Sequence, residues 1–208
     1  MKIEWKKSEK QYYLPKAKPE KIYIPKFGFY TIEGEGDPNA PEFENYISVL
    51  YSLSYGIRMS PKSNNAPDNY AEYTVYPLEG VWDINESAKV RNGMNISKSD
   101  YAFKLMIRQP DFVDENYALA MIEFTKKKKP HNLLSEVRFE TIEEGDCIQM
   151  LHLGAYDDEP KSFEIMEKYA AEINVHRTCK THREIYLSDP RRTAADKLKT
   201  VLRFKVEL

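Results

Sequence analysis

The chain has 208 residues, enough for one large domain or two small ones, and its 31 basic and 33 acidic residues give a net charge of −2. This balance argues against nucleic acid as a partner, because a protein that binds phosphate backbones needs an excess of Lys and Arg. No apolar stretch is long enough to span a membrane, and the charged N-terminus lacks a signal-peptide pattern. Two cysteines without a CxxC pair indicate reduced thiols in a cytoplasmic protein. The unusual count is 15 tyrosines, a residue that suits sheet faces and ligand pockets.

The first half of the chain begins with an arm and continues as alternating strands and helices. Residues 1–26 are rich in Lys and Pro, which predicts an extended arm that packs through its aromatic side chains. Apolar residues that recur with a helical period from Phe43 predict a helix that ends near Arg58. A second helix is predicted over 114–129, and strands are predicted over 27–36, 71–81 and 101–108.

The second half repeats this order. Strands are predicted over 137–143, 147–153, 184–187 and 201–206, and helices over 162–173 and 193–199. Each half therefore reads strand–helix–strand–strand, which predicts an α+β fold made of duplicated βαββ repeats with a ligand cleft between the halves. The predicted organisation is an arm over 1–26 and a single domain over 27–208, with repeats of about 27–110 and 135–208.

The strongest local signal for chemistry is the segment that starts at His182 and reads HREIYLSDPR. In a strand, Ile185 and Leu187 share one face, which we expect a helix to cover, and Glu184 and Tyr186 share the other. A carboxylate in a central strand is costly unless it is paired or used. The alternatives are a glutamate on a solvated face, one paired with a neighbouring Arg, and a site residue.

A second segment, YTVYPLEGVW from Tyr73, lies at the corresponding place in the first half. If Val75 faces the helices, Thr74 and Tyr76 face the cleft beside Glu184, and Trp82 lies just past the strand end where it can cover a cavity. Ordinary packing of tyrosines across neighbouring strands is the alternative.

Three motifs carry a family resemblance. They read LEGVW, QMLHLGAYDDEPKSFEIME and HREIYLSDPRRTAADKLKTVLR. Over about residues 27–204 the chain resembles the GyrI-like small-molecule-binding proteins, in particular their free-standing bacterial branch of roughly 200 residues. The resemblance implies a duplicated βαββ fold, also called the effector-binding-domain fold, with the ligand cleft between the halves.

The resemblance also implies site residues. Glu184 matches the pocket glutamate of the family's multidrug-sensing domains, where a carboxylate among aromatic rings attracts flat, apolar, cationic molecules. Some free-standing members hydrolyse the cyclopropane ring of DNA-alkylating natural products; on that model Glu184 and Tyr186 are catalytic, with Glu184 acting on the water and Tyr186 or Tyr76 bonding a carbonyl. Asp83 stands where some members look to have a second Trp, a departure that bears on the stacking platform for hydrolysis. The expected ligand-binding residues are Thr74, Tyr76, Trp82, Glu184, Tyr186, Tyr51 and Tyr55, and Tyr30 is a further candidate for the cleft.

Other candidate sites have weaker support from the sequence. His176, Cys179 and His182 have a short metal-like spacing, but no fourth ligand is evident and neighbouring basic residues repel a cation, so we expect neither a metal nor a cofactor. His152 follows strand alternation and is expected to be a hydrogen-bonded structural residue or one at the pocket edge.

Three functions follow as alternatives. The first is a cytoplasmic protein that binds an aromatic, hydrophobic and in some cases cationic small molecule, and protects the cell by sequestration or slow hydrolysis. The second is a hydrolase of electrophilic cyclopropane compounds. The third is a gyrase-inhibitor-like interaction with another protein, which the mild net charge supports little.

Overall fold

The computed structural model describes residues 2–91 and 94–208. Residues 1, 92 and 93, which fall in the predicted arm and the first predicted repeat, lie outside the described residues. The chain forms two compact units. The first consists of Phe27–Leu78 and Trp82–Ile142 with the start of the chain up to Glu4, and the second of Trp5–Lys26, Glu79–Val81 and Glu143–Leu208.

Helices and strands alternate along both units. The helices are α1 (Trp5–Ser8), α2 (Lys10–Tyr13), α3 (Phe43–Arg58), α4 (Glu86–Val90), α5 (Glu115–Lys128) and α6 (Glu159–Glu172). The strands are β1 (Glu20–Ile24), β2 (Phe27–Glu35), β3 (Leu78–Ile84), β4 (Tyr101–Arg108), β5 (Arg138–Ile142), β6 (Gly145–Leu153), β7 (His176–Arg177), β8 (His182–Tyr186) and β9 (Lys199–Glu207).

In the first unit, the strand order is β3-β4-β2-β5. The antiparallel register sets Phe29 opposite Arg108 and Gly34 opposite Phe103. Helix α3 packs on β2 and β4 through one apolar face, which includes the fully buried Leu50 and Leu53. This face has the 3.6-residue period from which the helix was predicted.

In the second unit, β6, β9 and β8 lie side by side, β1 pairs with β6, and β7 pairs with β9. The segment Glu79–Val81 of β3 belongs to this unit and lies next to β8. Helix α6 covers one face of the sheet. Its Met166 and Ala170 pack in a core with Ile148, Leu202 and Phe204 of the strands.

The two units repeat one topology. β2-α3-β3-β4 and β6-α6-β8-β9 are both βαββ motifs, and in each the first strand pairs with the fourth and the fourth lies beside the third. The outer strands are exchanged: β5 precedes β6 in the chain but pairs with β2, and β1 precedes β2 but pairs with β6. The predicted α+β fold with duplicated βαββ repeats is confirmed.

Three local predictions are corrected. The strand predicted over 71–81 begins only at Leu78, after Pro77, which has no N–H for a ladder. The helix predicted over 193–199 is a single turn at Ala195–Lys197, because the chain is extended again from Leu198. The arm is folded into α1, α2 and β1, although Trp5 and Tyr13 pack against each other and are buried, as predicted.

Within the described residues, none of the helices has the length and apolar character needed to cross a membrane.

Candidate functional site

Strand β8 places Glu184 on the face that α6 covers. Glu184 is paired with Leu202 of β9, and Leu202 belongs to the core beneath α6. Because paired residues share a face, Glu184 lies on the helix side, together with His182 and Tyr186. The prediction that the helix covers Ile185 is therefore wrong: Ile185 and Arg183 lie on the opposite face.

The carboxyl group of Glu184 is held at both oxygens. The Tyr186 hydroxyl donates to Oε2 at 2.8 Å, and Nε2 of His182 lies 3.0 Å from Oε1. Glu184 is only 8 % exposed. The Tyr186 hydroxyl thus hydrogen-bonds one oxygen of this carboxyl group, and the imidazole of His182 lies within hydrogen-bond distance of the other.

A second buried carboxyl group faces the first. Glu159 lies in the first turn of α6 and is 6 % exposed. One of its carboxylate oxygens lies within 4.8 Å of ligand atoms of both His182 and Glu184. Burial, and next the negative charge of Glu184, raise the pKa of Glu159 to about 10. This shift favours the neutral form of Glu159.

Aromatic rings line these carboxyl groups. The ring of Tyr156 meets that of Tyr186 edge-on at 6.0 Å, and Phe163 of α6 meets the His182 ring edge-on at 4.7 Å. Burial raises the pKa of Tyr156 to about 12, and the nearby charge of Glu184 adds to this shift. We call Tyr156, Glu159, His182, Glu184 and Tyr186 the Glu184 cluster.

His152 of β6 fixes the turn that leads into α6. Its Nε2 lies 3.0 Å from the carbonyl oxygen of Ala155, which can only accept, so Nε2 carries a proton. Its Nδ1 lies 2.9 Å from the hydroxyl of Ser162. The imidazole thus ties β6 to the start of the helix that carries Glu159, as predicted for a hydrogen-bonded structural residue.

The opposite face of β8 carries a balanced set of charges. Arg183 is ion-paired with Glu79 at 2.8 Å and with Glu144 at 3.1 Å. Arg203, directly opposite Arg183 in the register, is ion-paired with Glu144 at 3.0 Å and donates to Gln149. We call Glu79, Glu144, Arg183 and Arg203 the arginine network.

Three members of the Glu184 cluster have a spacing that could hold a metal ion. Glu159, His182 and Glu184 each offer one ligand atom, all within 4.8 Å of one another. Two carboxylates and an imidazole form a donor set that suits Zn²⁺ or Mn²⁺. The other short-spaced set, His176 and Cys179, lies along an open depression of about 470 Å³ in the second unit.

The candidate residues of the first half all lie in the first unit. Tyr76 is buried beneath the guanidinium of Arg108, 4.7 Å from its ring centroid. Trp82 lies inside β3 rather than past a strand end, and its ring stacks on Phe43 at 6.0 Å. The backbone amide of Thr74 donates to the carbonyl of Ile3. The rings of Tyr51 and Tyr55 are neighbours on α3. Tyr30 is fully buried, and its hydroxyl donates to the carbonyl of Ala118.

Asp83, at the departure from the family pattern, is ion-paired with Lys89 at 2.9 Å. The predicted roles of all these first-unit residues toward a ligand stay predictions.

Sequence reasoning missed Glu159 and His182 as partners of Glu184. Glu159 stands in the acidic run before Pro160, which is typical of a helix start, so its charge has an ordinary explanation in the sequence. His182 is two residues from Glu184, and strand periodicity already put the two on one face.

Comparisons with known proteins match almost the whole chain. The model of the GyrI-like small molecule binding domain matches residues 17–207. The chain is similar to the crystal structure of a hydrolase from Listeria innocua, with 34 % identity, a TM-score of 0.88 and coverage of 99 % of this chain and 100 % of that one. It is also similar to the structure of an uncharacterized conserved protein from Listeria innocua, with 35 % identity, a TM-score of 0.89 and the same coverage.

A more distant likeness shows the fold alone. The C-terminal domain of EcmrR has 13 % identity and a TM-score of 0.52, with coverage of 91 % of this chain and 97 % of that one. A search of curated protein sequences finds no match. On the match over residues 17–207, the chain belongs to the GyrI-like small molecule binding domain family.

Proposed function

We propose that this protein binds an aromatic, hydrophobic and cationic small molecule at the Glu184 cluster, acting as a free-standing cytoplasmic protein. Its use would be protection, by sequestering a xenobiotic or hydrolysing it slowly. The observation that carries this proposal is a buried carboxylate, Glu184, that has aromatic neighbours and no ion pair with Lys or Arg in the part of the chain that the structure describes.

The chemistry of the cluster supports this ligand class. A carboxylate removed from water is costly unless a positive charge compensates it, and a ligand cation supplies that charge. Aromatic walls add stacking and cation–π attraction, which favour flat or quaternary cations. Membership of a small-molecule-binding family agrees with a ligand of this size.

Titration with a fluorescent rhodamine dye tests the proposal. We expect Glu184→Gln to weaken dye binding at least about tenfold, because the neutral amide cannot balance the cation. Glu164→Gln is the matched control, since Glu164 is an exposed residue on α6 and the change in charge is the same. Equal affinity of both variants would exclude the Glu184 cluster as the binding site.

Hydrolysis of electrophilic cyclopropanes is the second candidate, favoured by the likeness to a hydrolase over nearly the full length of both chains. In this proposal Glu184 takes a proton from water, whose oxygen bonds a ring carbon. The ring carbon–carbon bond breaks, and its electron pair moves onto a conjugated carbonyl, which takes a proton from the Tyr186 hydroxyl. Since Tyr186 and Glu184 are hydrogen-bonded at 2.8 Å, the proton on Glu184 can return to Tyr186, and one water has been added overall.

Ring opening of a cyclopropane-bearing alkylator tests the second candidate. We expect turnover by the wild type and by Glu164→Gln, and a loss of at least about 100-fold in Glu184→Gln. Turnover no faster than in buffer would reject hydrolysis for that compound class and leave binding as the function.

A further inference from the structure

Two buried side-chain oxygens at the Glu184 cluster have no hydrogen-bond partner among the described residues. They are Oγ1 of Thr200 on β9 and Oε1 of Glu159 on α6. Thr200 is 1 % exposed and Glu159 is 6 % exposed, so both side chains are shielded from bulk solvent. A buried polar atom without a partner is costly, and folded proteins commonly satisfy such atoms with a buried water molecule.

Strand register places Thr200 on the sheet face that α6 covers, between two polar neighbours. It is paired with His152 of β6 on one side and with Tyr186 of β8 on the other. Because it lies two residues before Leu202, it shares the face of that core residue beneath α6. The Cβ atoms of directly paired residues lie about 4.5–5.5 Å apart, so Thr200 borders the Glu184 cluster through Tyr186.

The first turn of α6 covers this part of the sheet. The hydroxyl of Ser162 lies 2.9 Å from Nδ1 of His152. Glu159 is three residues earlier, and residues three apart share one helix face. An oxygen of Glu159 also lies within 4.8 Å of a carboxyl oxygen of Glu184. The carboxyl group of Glu159 therefore lies over the part of the sheet face that carries Thr200.

One water molecule suits both oxygens. In the part of the chain that the structure describes, they are bonded neither to each other nor to another protein group. Water and the Thr200 hydroxyl both donate and accept, so water can bond Oε1 of Glu159 whether that carboxyl group is ionised or neutral. Buried water makes about three hydrogen bonds, and the carboxyl group of Glu184 can supply the third, because a carboxylate has about four acceptor positions.

We propose that Thr200 and Glu159 hold a single water molecule beside Glu184, and that this is the water consumed by the hydrolysis of a cyclopropane. Whether the water is held does not depend on the proposed function, whereas its chemical use rests on it. Thr200 is then a positioning residue, because its hydroxyl acts through the water and not on the substrate.

The held water enters the reaction as follows. Glu184 takes a proton from it, and its oxygen bonds a ring carbon. The ring carbon–carbon bond breaks, and its electron pair moves onto the conjugated carbonyl, which takes a proton from the Tyr186 hydroxyl. The proton on Glu184 then returns to Tyr186 through their hydrogen bond of 2.8 Å, so that one water is added overall.

A crystal structure of the unliganded protein tests the water site. We expect an ordered water within about 3.2 Å of Thr200 Oγ1 and Glu159 Oε1 in the wild type. It should be lost in Thr200→Val, which keeps the shape of the side chain but not the hydroxyl. A direct hydrogen bond between Thr200 and Glu159 would overturn the proposal. So would a metal ion at this position, recognised by contacts of about 2.0–2.2 Å to the carboxylate oxygens.

Turnover and affinity, measured separately, test the use of the water. With a cyclopropane-bearing alkylator, we expect Thr200→Val to lower kcat at least about tenfold, because the water is no longer positioned. Thr200→Ser keeps the hydroxyl, so its kcat should stay within about threefold of the wild type. Rhodamine affinity should change less than about threefold in both variants. Thr178→Val, the same change at an exposed residue, is the matched control.

The outcomes separate this proposal from the proposed function. Turnover by the wild type with an unchanged kcat in Thr200→Val would overturn the use of this water and leave hydrolysis standing. A loss of rhodamine affinity as large as in Glu184→Gln would overturn it too, because Thr200 would then bind the ligand. Without turnover by the wild type, hydrolysis and the use of the water would both fall, and the crystal structure would still decide whether the water is held.

Discussion

The two faces of strand β8 both carry buried charged groups, and they differ in how those charges are balanced. Arg183 and Glu184 are neighbours in the chain, and both are buried. On the Arg183 face, two arginines meet two glutamates within 2.8–3.1 Å, so the charges cancel inside the protein. On the Glu184 face, the partners of the carboxyl groups are a tyrosine hydroxyl and an imidazole, with no Lys or Arg ion pair among the described residues.

This difference separates a structural role from a functional one. A network whose charges cancel needs nothing more, and it joins β8 to the segment at Glu79 and the loop at Glu144. A buried carboxyl pair without a cation is costly when ionised, and a proton or a cationic ligand lowers that cost. Breaking either face should therefore change different properties of the protein.

The largest expected effect is on the arginine network. Arg183→Met removes one cation and leaves Glu79 and Glu144 with a single arginine between them in a buried place. We expect the free energy of unfolding to fall by about 3–5 kcal/mol, measured by urea denaturation, because an uncompensated buried charge remains. A loss below about 1 kcal/mol would show that the network does not hold this face together.

The second effect is a pH dependence of stability that originates in Glu159. Its folded pKa of about 10 lies far above the ordinary value of about 4.5, so the folded state keeps a proton that the unfolded state has lost. This contribution is complete below the unfolded pKa and is lost as pH rises toward 10. Relative to Glu159→Gln, the wild type should lose at most about 1.4 kcal/mol per pH unit in this window.

Urea denaturation of both proteins at several pH values between 6 and about 9 checks this slope. Parallel curves for the wild type and Glu159→Gln would contradict a protonated Glu159, whereas Glu164→Gln should follow the wild type.

The third effect is a loss of dye affinity without a comparable loss of stability. Glu184→Gln removes a charge that has no Lys or Arg partner among the described residues, so its free energy of unfolding should change by less than about 1 kcal/mol. Its dye affinity should fall by about 1.4–2.8 kcal/mol, or roughly 10- to 100-fold. If Glu184→Gln lost as much stability as Arg183→Met, the role of Glu184 would be structural.

The smallest effect concerns the support of Glu159. Ser162→Ala removes the hydroxyl 2.9 Å from Nδ1 of His152 and should cost about 1 kcal/mol of stability. Since the turn at Ala155 keeps its bond to Nε2, dye affinity should change less than threefold, as measured by fluorescence titration. A larger loss of affinity than in Glu184→Gln would mean that the helix start itself forms the binding surface.

Elements with one dominant pattern could be predicted from the sequence. Strand β4 carries Phe103, Leu105 and Ile107 at alternate positions, and α5 begins after Asp114, whose side chain accepts from the amide of Tyr117 at 2.8 Å. The strand over 71–81 was misplaced because Tyr73 and Tyr76 are buried outside the strands, with Tyr73 in an isolated bridge to Ile3, so that burial rather than a continuous strand accounts for the aromatic pattern. Aromatic spacing alone does not distinguish the two.

The candidate site was predicted only in part, for a similar reason. Glu184 and Tyr186 share a strand, and period two brings them together in any sheet. Glu159 is 25 positions earlier, and only the packing of α6 on β6 and β9 brings its carboxyl group near Glu184. The partners of Arg183 come from two further segments of the chain, which no local pattern connects.

A crystal structure of the protein with a bound rhodamine dye tests the central claim most directly. We expect the charged end of the dye within about 4 Å of a carboxylate oxygen of Glu184, with its rings against Tyr156 and Tyr186. A dye bound elsewhere, with Glu184 still held only by His182, Tyr186 and Glu159, would contradict the assignment of the Glu184 cluster as the binding site.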